Sequence, residues 1–490
     1  MLISKLPIRY LPPLLTIAMI LAIGLAPDKS VQFSPTNFSG SPLIVGWGKS
    51  GDLDVLLNVL LFIPLGFTLV RLLARQVGSE MRGGFFCVVA TSFGLSYSVE
   101  ALQNLLPSRF PSFVDVLANS MGGVLGFVCF HLWVRKNLKL SLLAYLIVIS
   151  IISIHLQRAT GFSNWDKAFP LILGNELTGD RPWRGSIQEV YIADRAISPT
   201  EAERLASEDK PLAVLRNSLV AWYRLNGLAR YRDETGHLSD LTWRGNPQAI
   251  QPAEGVFLAP AQWLETSSPA SYLTQRITGT SQFTLGLTVA TGDIAQERTA
   301  RIVSLSADPN RRNFTLGQLG SDLVFRLRTP LTGDNGVEPQ MIVPGIFSTM
   351  VRQGLVITYN GTALSLYVNG KRQPHTLELS PGTAAFGHFF ERTSWTITLC
   401  KLLYYGAFFI PLGILLSSTS NQAKAGFAYQ SLIAAGGIVV TALMLEAMWV
   451  GVSGRNMESD NLILSILFAA VGVGFHAIPK TRNCFNRTTE

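Results

Sequence analysis

Ser92, Ser96, Glu100 and Gln103 interrupt a segment that is otherwise apolar. They are four, four and three residues apart, so on a helix they share one face. Asp115, Asn119, Gly122 and Gly126 follow at helical spacing and share another face. Asn58 precedes them near an earlier apolar run, and Arg109 stands in the short connection between the two faces. A carboxylate at the centre of a membrane helix costs about 3 kcal/mol or more unless it faces protein or water. The two faces should therefore look at each other, with Arg109 supplying the opposite charge. Such a set can handle a charged headgroup, a cation or a proton, or it can tie two helices together through a Glu100–Arg109 pair. The residues leave both readings open. Asp115 alone also suits a helix N-cap after Pro111 and Ser112. The cluster of Gly122, Gly123 and Gly126 suits close helix packing.

Glu100 and Asp115 can in principle serve as acid and base, but no nucleophile or metal set accompanies them. The six histidines do not cluster, and HExxH and GxSxG are absent. Gly48-Lys49-Ser50 lacks the upstream glycine of a phosphate-binding loop. A non-enzymatic role is the leading reading.

The elements that carry these residues read as membrane helices. The order Asn58, Phe62 to Gly66 (FIPLG), Glu100, Gln103, Arg109, Asp115, Asn119, Gly122 and Gly126 resembles the VanZ-like family of bacterial membrane proteins. That family takes its name from a protein linked to low-level resistance to teicoplanin, a glycopeptide antibiotic. The resemblance implies an architecture more than a reaction.

Composition agrees with a membrane protein that has a sizeable soluble part. The chain has 490 residues, 48% of them apolar, a net charge of +8 and four cysteines; the mean hydropathy is +0.30. In a soluble protein that charge would raise nucleic acid as a partner; here basic residues flanking membrane helices account for it. The polar middle of the chain has no cysteine, which excludes a disulfide framework or cysteine zinc site there.

Residues 11–27 form an apolar run after Lys5 and Arg9, read as a retained first helix rather than a cleaved signal. Further spans fall at 53–74, 83–106, 113–134 and 138–156, then at 395–417, 427–450 and 461–478. Lys and Arg positions put both termini in the cytoplasm and the 157–394 region outside the cell membrane. The expected domains are 1–156, 157–394 and 395–490.

The last domain reads as a degenerate copy of the first. Phe408 to Gly413 (FFIPLG) repeats Leu61 to Gly66 (LFIPLG), and Glu446, Arg455 and Asp460 follow at nearly the spacing of Glu100, Arg109 and Asp115. Asn58 corresponds to Tyr405 and Gln103 to Trp449, so a single working site belongs in the first copy. Both copies run the same way through the membrane, as a parallel repeat.

The 157–394 region carries short apolar and aromatic runs between turns, the pattern of an antiparallel sandwich. Asn369-Gly370 suits a type I′ hairpin turn. Leu219 to Gly236 and Leu355 to Arg372 resemble the opening strand and central hairpin of the LamG, or concanavalin-A-like, jelly-roll family. Leu171 to Leu205 resembles that family's closing strands, yet comes first. The expectation is a circularly permuted sandwich with Gly174 to Asp194 supplying the last strands. Trp222, Tyr223 and Tyr367 are candidate glycan contacts, with a core role as the other reading. Asp233 is a candidate calcium ligand of the kind some relatives have, or a turn residue; no other cofactor is expected.

The whole reads as a multidomain membrane protein, with an eight-helix transmembrane bundle of two VanZ-like halves and an all-β LamG-like jelly roll outside. Its expected role is recognition at the bacterial cell envelope, with membrane lipids as partners and an envelope glycan, lipid-linked precursor or protein as ligand. An enzyme acting on a lipid-linked substrate and a transporter are the alternatives.

Overall fold

A computed structural model describes residues 10–25, 45–47, 52–73, 81–103, 111–134, 137–207, 211–225, 231–245, 255–337, 339–386, 394–420, 427–453, 457 and 459–477. The first part is helical: α1 (Leu11–Gly24), α2 (Asp52–Leu73), α3 (Met81–Gln103), α4 (Phe113–Val134) and α5 (Leu138–Arg158). The last part is helical again: α10 (Ser394–Ser420), α11 (Phe427–Ser453) and α12 (Ser459–Ala477). Among the described residues six helices, α2 to α5, α10 and α11, are long and apolar enough to cross a membrane. Two further apolar stretches, Leu11–Gly24 and Ser459–Gly474, are shorter. Their exposed faces carry large apolar residues such as Met121, Leu143, Leu432 and Ile463, as lipid-facing surfaces do.

Glycine sets the closest helix contacts. A methyl group at Gly66 of α2 would overlap the Gly123 carbonyl of α4, and methyls at Gly122 and Gly126 would overlap the carbonyls of Val59 and Ile63. Backbones can touch here only because no Cβ intervenes. The last three helices repeat the arrangement. Gly413 of α10 meets the Ala469 carbonyl of α12, and Gly472 meets the Ile410 carbonyl. Ile63 and Gly66 thus match Ile410 and Gly413, and Gly123 and Gly126 match Ala469 and Gly472. The same pair of glycine-to-backbone contacts occurs in both helical parts.

Between these helical parts lies a β-sandwich of two antiparallel sheets. The strands are β1 (Leu171–Leu173), β2 (Gly185–Ala193), β3 (Leu219–Arg224), β4 (Leu241–Gly245), β5 (Val256–Leu258), β6 (Gln262–Thr266), β7 (Phe283–Thr291), β8 (Ala300–Asp308), β9 (Arg311–Leu319), β10 (Asp322–Leu327), β11 (Met341–Val343), β12 (Gln353–Tyr359), β13 (Ala363–Val368) and β14 (Lys371–Glu378). One sheet has the order β11-β10-β9-β8-β1-β6-β4; the other has β14-β13-β12-β7-β2-β3, with β5 beside β2. Strands β1 and β2 come first in the chain yet lie inside the two sheets. Their facing residues, including Leu171, Leu173, Val190 and Ile192, bury against Phe314, Leu316, Leu285 and Leu287. The turn at Asn369-Gly370 has φ of 49° and 80° and joins β13 to β14 with Val368 opposite Lys371, as a type I′ hairpin requires.

The sandwich also contains helices that the strand pattern does not announce: α6 (Pro199–Ser207), α7 (Pro211–Leu215), α8 (Ser271–Thr280) and α9 (Pro381–Phe386). Helix α6 has a capping box that the sequence does contain. The Ser198 amide donates to Glu201 at 2.8 Å and the Glu201 amide donates to the Ser198 hydroxyl at 3.3 Å.

The sandwich and the helices are joined by more than a tether. The Tyr359 hydroxyl donates to the Thr160 carbonyl at 2.7 Å, and the Thr160 hydroxyl donates to the Gly361 carbonyl at 3.0 Å. Phe162 and Trp165, just past α5, insert among Phe283, Phe314 and Tyr359. The two helical parts touch as well: the Tyr145 hydroxyl of α5 donates to the Phe408 carbonyl of α10 at 2.7 Å.

Candidate functional sites

Helix α3 presents its polar row to α4. Ser92, Ser96, Glu100 and Gln103 are all buried, the first two completely. Ser92 lies against Gly123. Four residues on, the Asn119 amide donates to the Ser96 hydroxyl at 2.8 Å. The same antiparallel step puts Glu100 level with Asp115, which is half-buried in the first turn of α4. Glu100 accepts a hydrogen bond from the Ser112 amide at 3.0 Å. The Ser112 hydroxyl accepts from the Val114 amide at 3.2 Å, so Ser112 occupies the cap position and leaves Asp115 inside the helix. Gln103 reaches a third helix, donating to the Gly24 carbonyl at the end of α1 at 2.8 Å. Asn58 is half-buried on α2.

Two carboxylates at one level, with serine and asparagine beneath them, can share a proton or hold a cation between them. Arg109, expected to neutralise them, lies outside the described residues, as does Arg455 in the second copy. The Ser92 hydroxyl and the Asn119 side-chain oxygen are buried without a hydrogen-bond partner among the described residues.

In the second copy Glu446 is as buried as Glu100. The packing correspondence puts Asn461 at the place of Asp115, Ser465 at that of Asn119 and Ala442 at that of Ser96. Asn461 and Ser465 are buried, and the Ser465 hydroxyl donates to the Asn461 carbonyl. Asp460 is exposed beside them. Tyr404 and Tyr405 of α10 pack their rings against Trp449, which lies three residues after Glu446 on α11. The second copy keeps one carboxylate where the first has two.

In the sandwich, Tyr223 is fully enclosed, and its hydroxyl donates to the Ser239 carbonyl at 2.8 Å. Tyr367 packs with Tyr191, Val356 and Trp222 on the outer face of the second sheet, under a cover of Ile197, Ala202 of α6 and Leu215 of α7. Trp222 is 9% exposed, donates to Glu189 at 2.6 Å, and lines a cleft of about 450 Å³. Asn217, Glu234, His237, Tyr272 and Arg276 also line this cleft. The His237 and Tyr272 rings stack at 4.4 Å, and Arg276 is fixed over Tyr272 by its ion pair with Asp194. Sequence reading did not single out His237, Tyr272 or Arg276. They come from two segments that only the fold brings together.

The carboxylate of Asp233 is taken up locally. It accepts from the amides of Trp222, Thr235, His237 and Leu238 and from the Thr235 hydroxyl, at 2.7–3.1 Å. Among the described residues no three of His, Cys, Asp and Glu converge as a metal set.

A family model described as VanZ/LLP1 matches residues 14–134, most of α1 and all of α2 to α4. This part of the chain is therefore VanZ-like, and it is the part that contains the Glu100 row. No curated protein and no solved structure matches the chain.

Proposed function

We propose that this protein is a recognition protein of the bacterial cell envelope, with eight membrane helices, both termini in the cytoplasm and the sandwich outside. The sandwich is read as a circularly permuted jelly roll of LamG type, in which β1 and β2 complete the sheets that the later strands begin. The observation that carries the functional reading is the cleft beside Trp222. Its aromatic rings, with a carboxylate, an amide and a guanidinium around them, are the groups that take up a sugar: apolar faces for the ring, directed donors and acceptors for the hydroxyls. The ligand proposed is an envelope glycan. The VanZ-like helices would hold the sandwich at the membrane and engage lipid or a lipid-linked precursor at the Glu100 level.

Purified full-length protein in detergent should retain soluble cell-wall glycan fragments, and Tyr272→Ala should weaken that binding at least tenfold. Failure of the wild-type protein to bind any such fragment overturns the glycan reading. The teicoplanin link is carried by the family alone. It predicts that cells expressing the protein tolerate more teicoplanin than cells without it, and equal susceptibility removes the link.

The second reading is an enzyme acting on a lipid-linked substrate. It is favoured by the level placement of Glu100 and Asp115, a pair suited to moving a proton. Glu100→Gln with unchanged expression and lost turnover of a lipid-linked precursor would support it.

A further inference from the structure

The outer face of the first sheet holds a group of arginines that the envelope reading does not use. Arg301 on β8, Arg312 on β9 and Arg326 on β10 gather there. Strand pairing sets Ser306 opposite Arg312, Ser304 opposite Thr315 and Thr315 opposite Arg326, so these side chains line adjoining positions of one surface. The Gly174–Trp183 loop lies over them. It is pinned by the Asn175 side chain, which accepts from the amides of Glu176 and Arg181, and by Trp183, which donates to Gln318 at 2.8 Å. Arg312 is completely buried and Arg301 is 2% exposed.

The charges do not balance. Glu176 is buried, and Arg181 and Arg301 each approach it at 3.6 Å. Arg326 is held by Gln340 at 2.7 Å and Arg301 by the Thr299 carbonyl at 3.0 Å. All three side-chain nitrogens of Arg312 are buried with no hydrogen-bond partner among the described residues. Burial, then the charges of Arg301 and Arg326, push its pKa down to about 9, which leaves it charged at neutral pH. An unpaired buried charge is strongly destabilising, because hydration is lost and nothing replaces it. Glu176 is the one fully buried carboxylate among these four guanidinium groups; Asp180 pairs with Arg181 at 3.9 Å and the charge of Asp308 also acts on Arg312, yet Arg312 has no hydrogen-bond acceptor among the described residues.

We propose that this face is an anion site, in which Arg312, flanked by Arg301 and Arg326, holds a small free oxyanion of the size of phosphate or sulfate beneath the Gly174–Trp183 loop. The guanidinium fork of Arg312 matches two oxygens of such an ion. The complete enclosure of Arg312 argues for a small free ion rather than a group carried on a polymer. Entry requires the covering loop to lift.

The test is equilibrium dialysis of the full-length protein in detergent against radiolabelled phosphate and, separately, sulfate. The expected result is saturable binding of one ion per chain. Arg312→Met should weaken it at least tenfold, and the exposed Arg298→Ala should leave it unchanged. If Arg312→Met fails to fold, Arg326→Gln takes its place and must lower affinity at least tenfold with the β-sheet circular dichroism signal retained. Each of three results overturns the proposal: neither ion binds the wild-type protein, Arg298→Ala weakens binding as much as the Arg312 or Arg326 variant, or the folded Arg312 or Arg326 variant binds as tightly as the wild type.

Discussion

At the scale of single residues, the side chains that determine behaviour are those whose partners are fixed and few. Glu100 is buried and accepts from the Ser112 amide, which ties the end of α3 to the start of α4. Removing the acceptor leaves that amide buried without it, a cost of about 1–3 kcal/mol. Glu100→Ala should lower the yield of monodisperse protein and its thermal midpoint, whereas Glu100→Gln keeps an acceptor there and should fold. Normal yield and midpoint for the alanine variant would show that the bond is dispensable. Glu201 makes a pH prediction. Its hydrogen bonds to Arg195 come first among the causes that hold its carboxyl down at about 2, followed in the same direction by the Ser198 amide. A folded pKa below the unfolded value near 4.5 means that the pair stabilises fully above that value. That contribution is lost as pH falls from there towards 2. Thermal midpoints of wild type and Glu201→Gln measured across this range should converge as pH falls; a constant gap would show that the pair does not titrate with folding.

At the scale of elements, the contact between α2 and α4 is limited by glycine. A methyl at Gly126 meets backbone on α2, which cannot move aside as a flexible side chain would. Gly126→Leu should separate the two helices and abolish recovery of folded protein. Gly436 of α11 has open space at its Cβ, so Gly436→Ala should be neutral or slightly stabilising through helix propensity. Size-exclusion profiles of the two variants side by side check this, and equal recovery would mean that the glycine contact does not set the packing. The matched contacts at Gly413 and Gly472 predict the same sensitivity in the second copy.

At the scale of the whole molecule, the sandwich sits between two helical parts and is bonded at its entry through Thr160, Tyr359 and Gly361. At its exit, α9 packs on α10 with Gly382 against the Cys400 carbonyl. The proposed topology puts the sandwich outside. A cysteine introduced at the exposed Ser207 should react with a membrane-impermeant maleimide in intact cells, and one at Ser79 should not. The opposite pattern reverses the topology.

The sequence by itself determined the periodic features. Helical spans appeared as long apolar runs because a membrane-crossing helix must satisfy its backbone internally and show lipid an apolar surface. Ser92, Ser96, Glu100 and Asn119 were legible as two facing rows because helical period alone fixes which residues share a face. The hairpin at Asn369 was legible because two successive positive φ values need residues of that kind. Tertiary structure decided what depends on contacts distant in the chain. Asn461, rather than its neighbour Asp460, stands level with Glu446, because one residue turns a side chain about 100° around a helix and spacing counts miss such a shift. Tyr272 and Arg276 join Trp222 only because α8 packs beside β3. Arg301, Arg312 and Arg326 come together only through strand register, and Arg301 and Arg312 are buried there while Arg326 is half-buried. Local pattern records which face a side chain takes; what lies opposite that face is set by the pairing of distant segments.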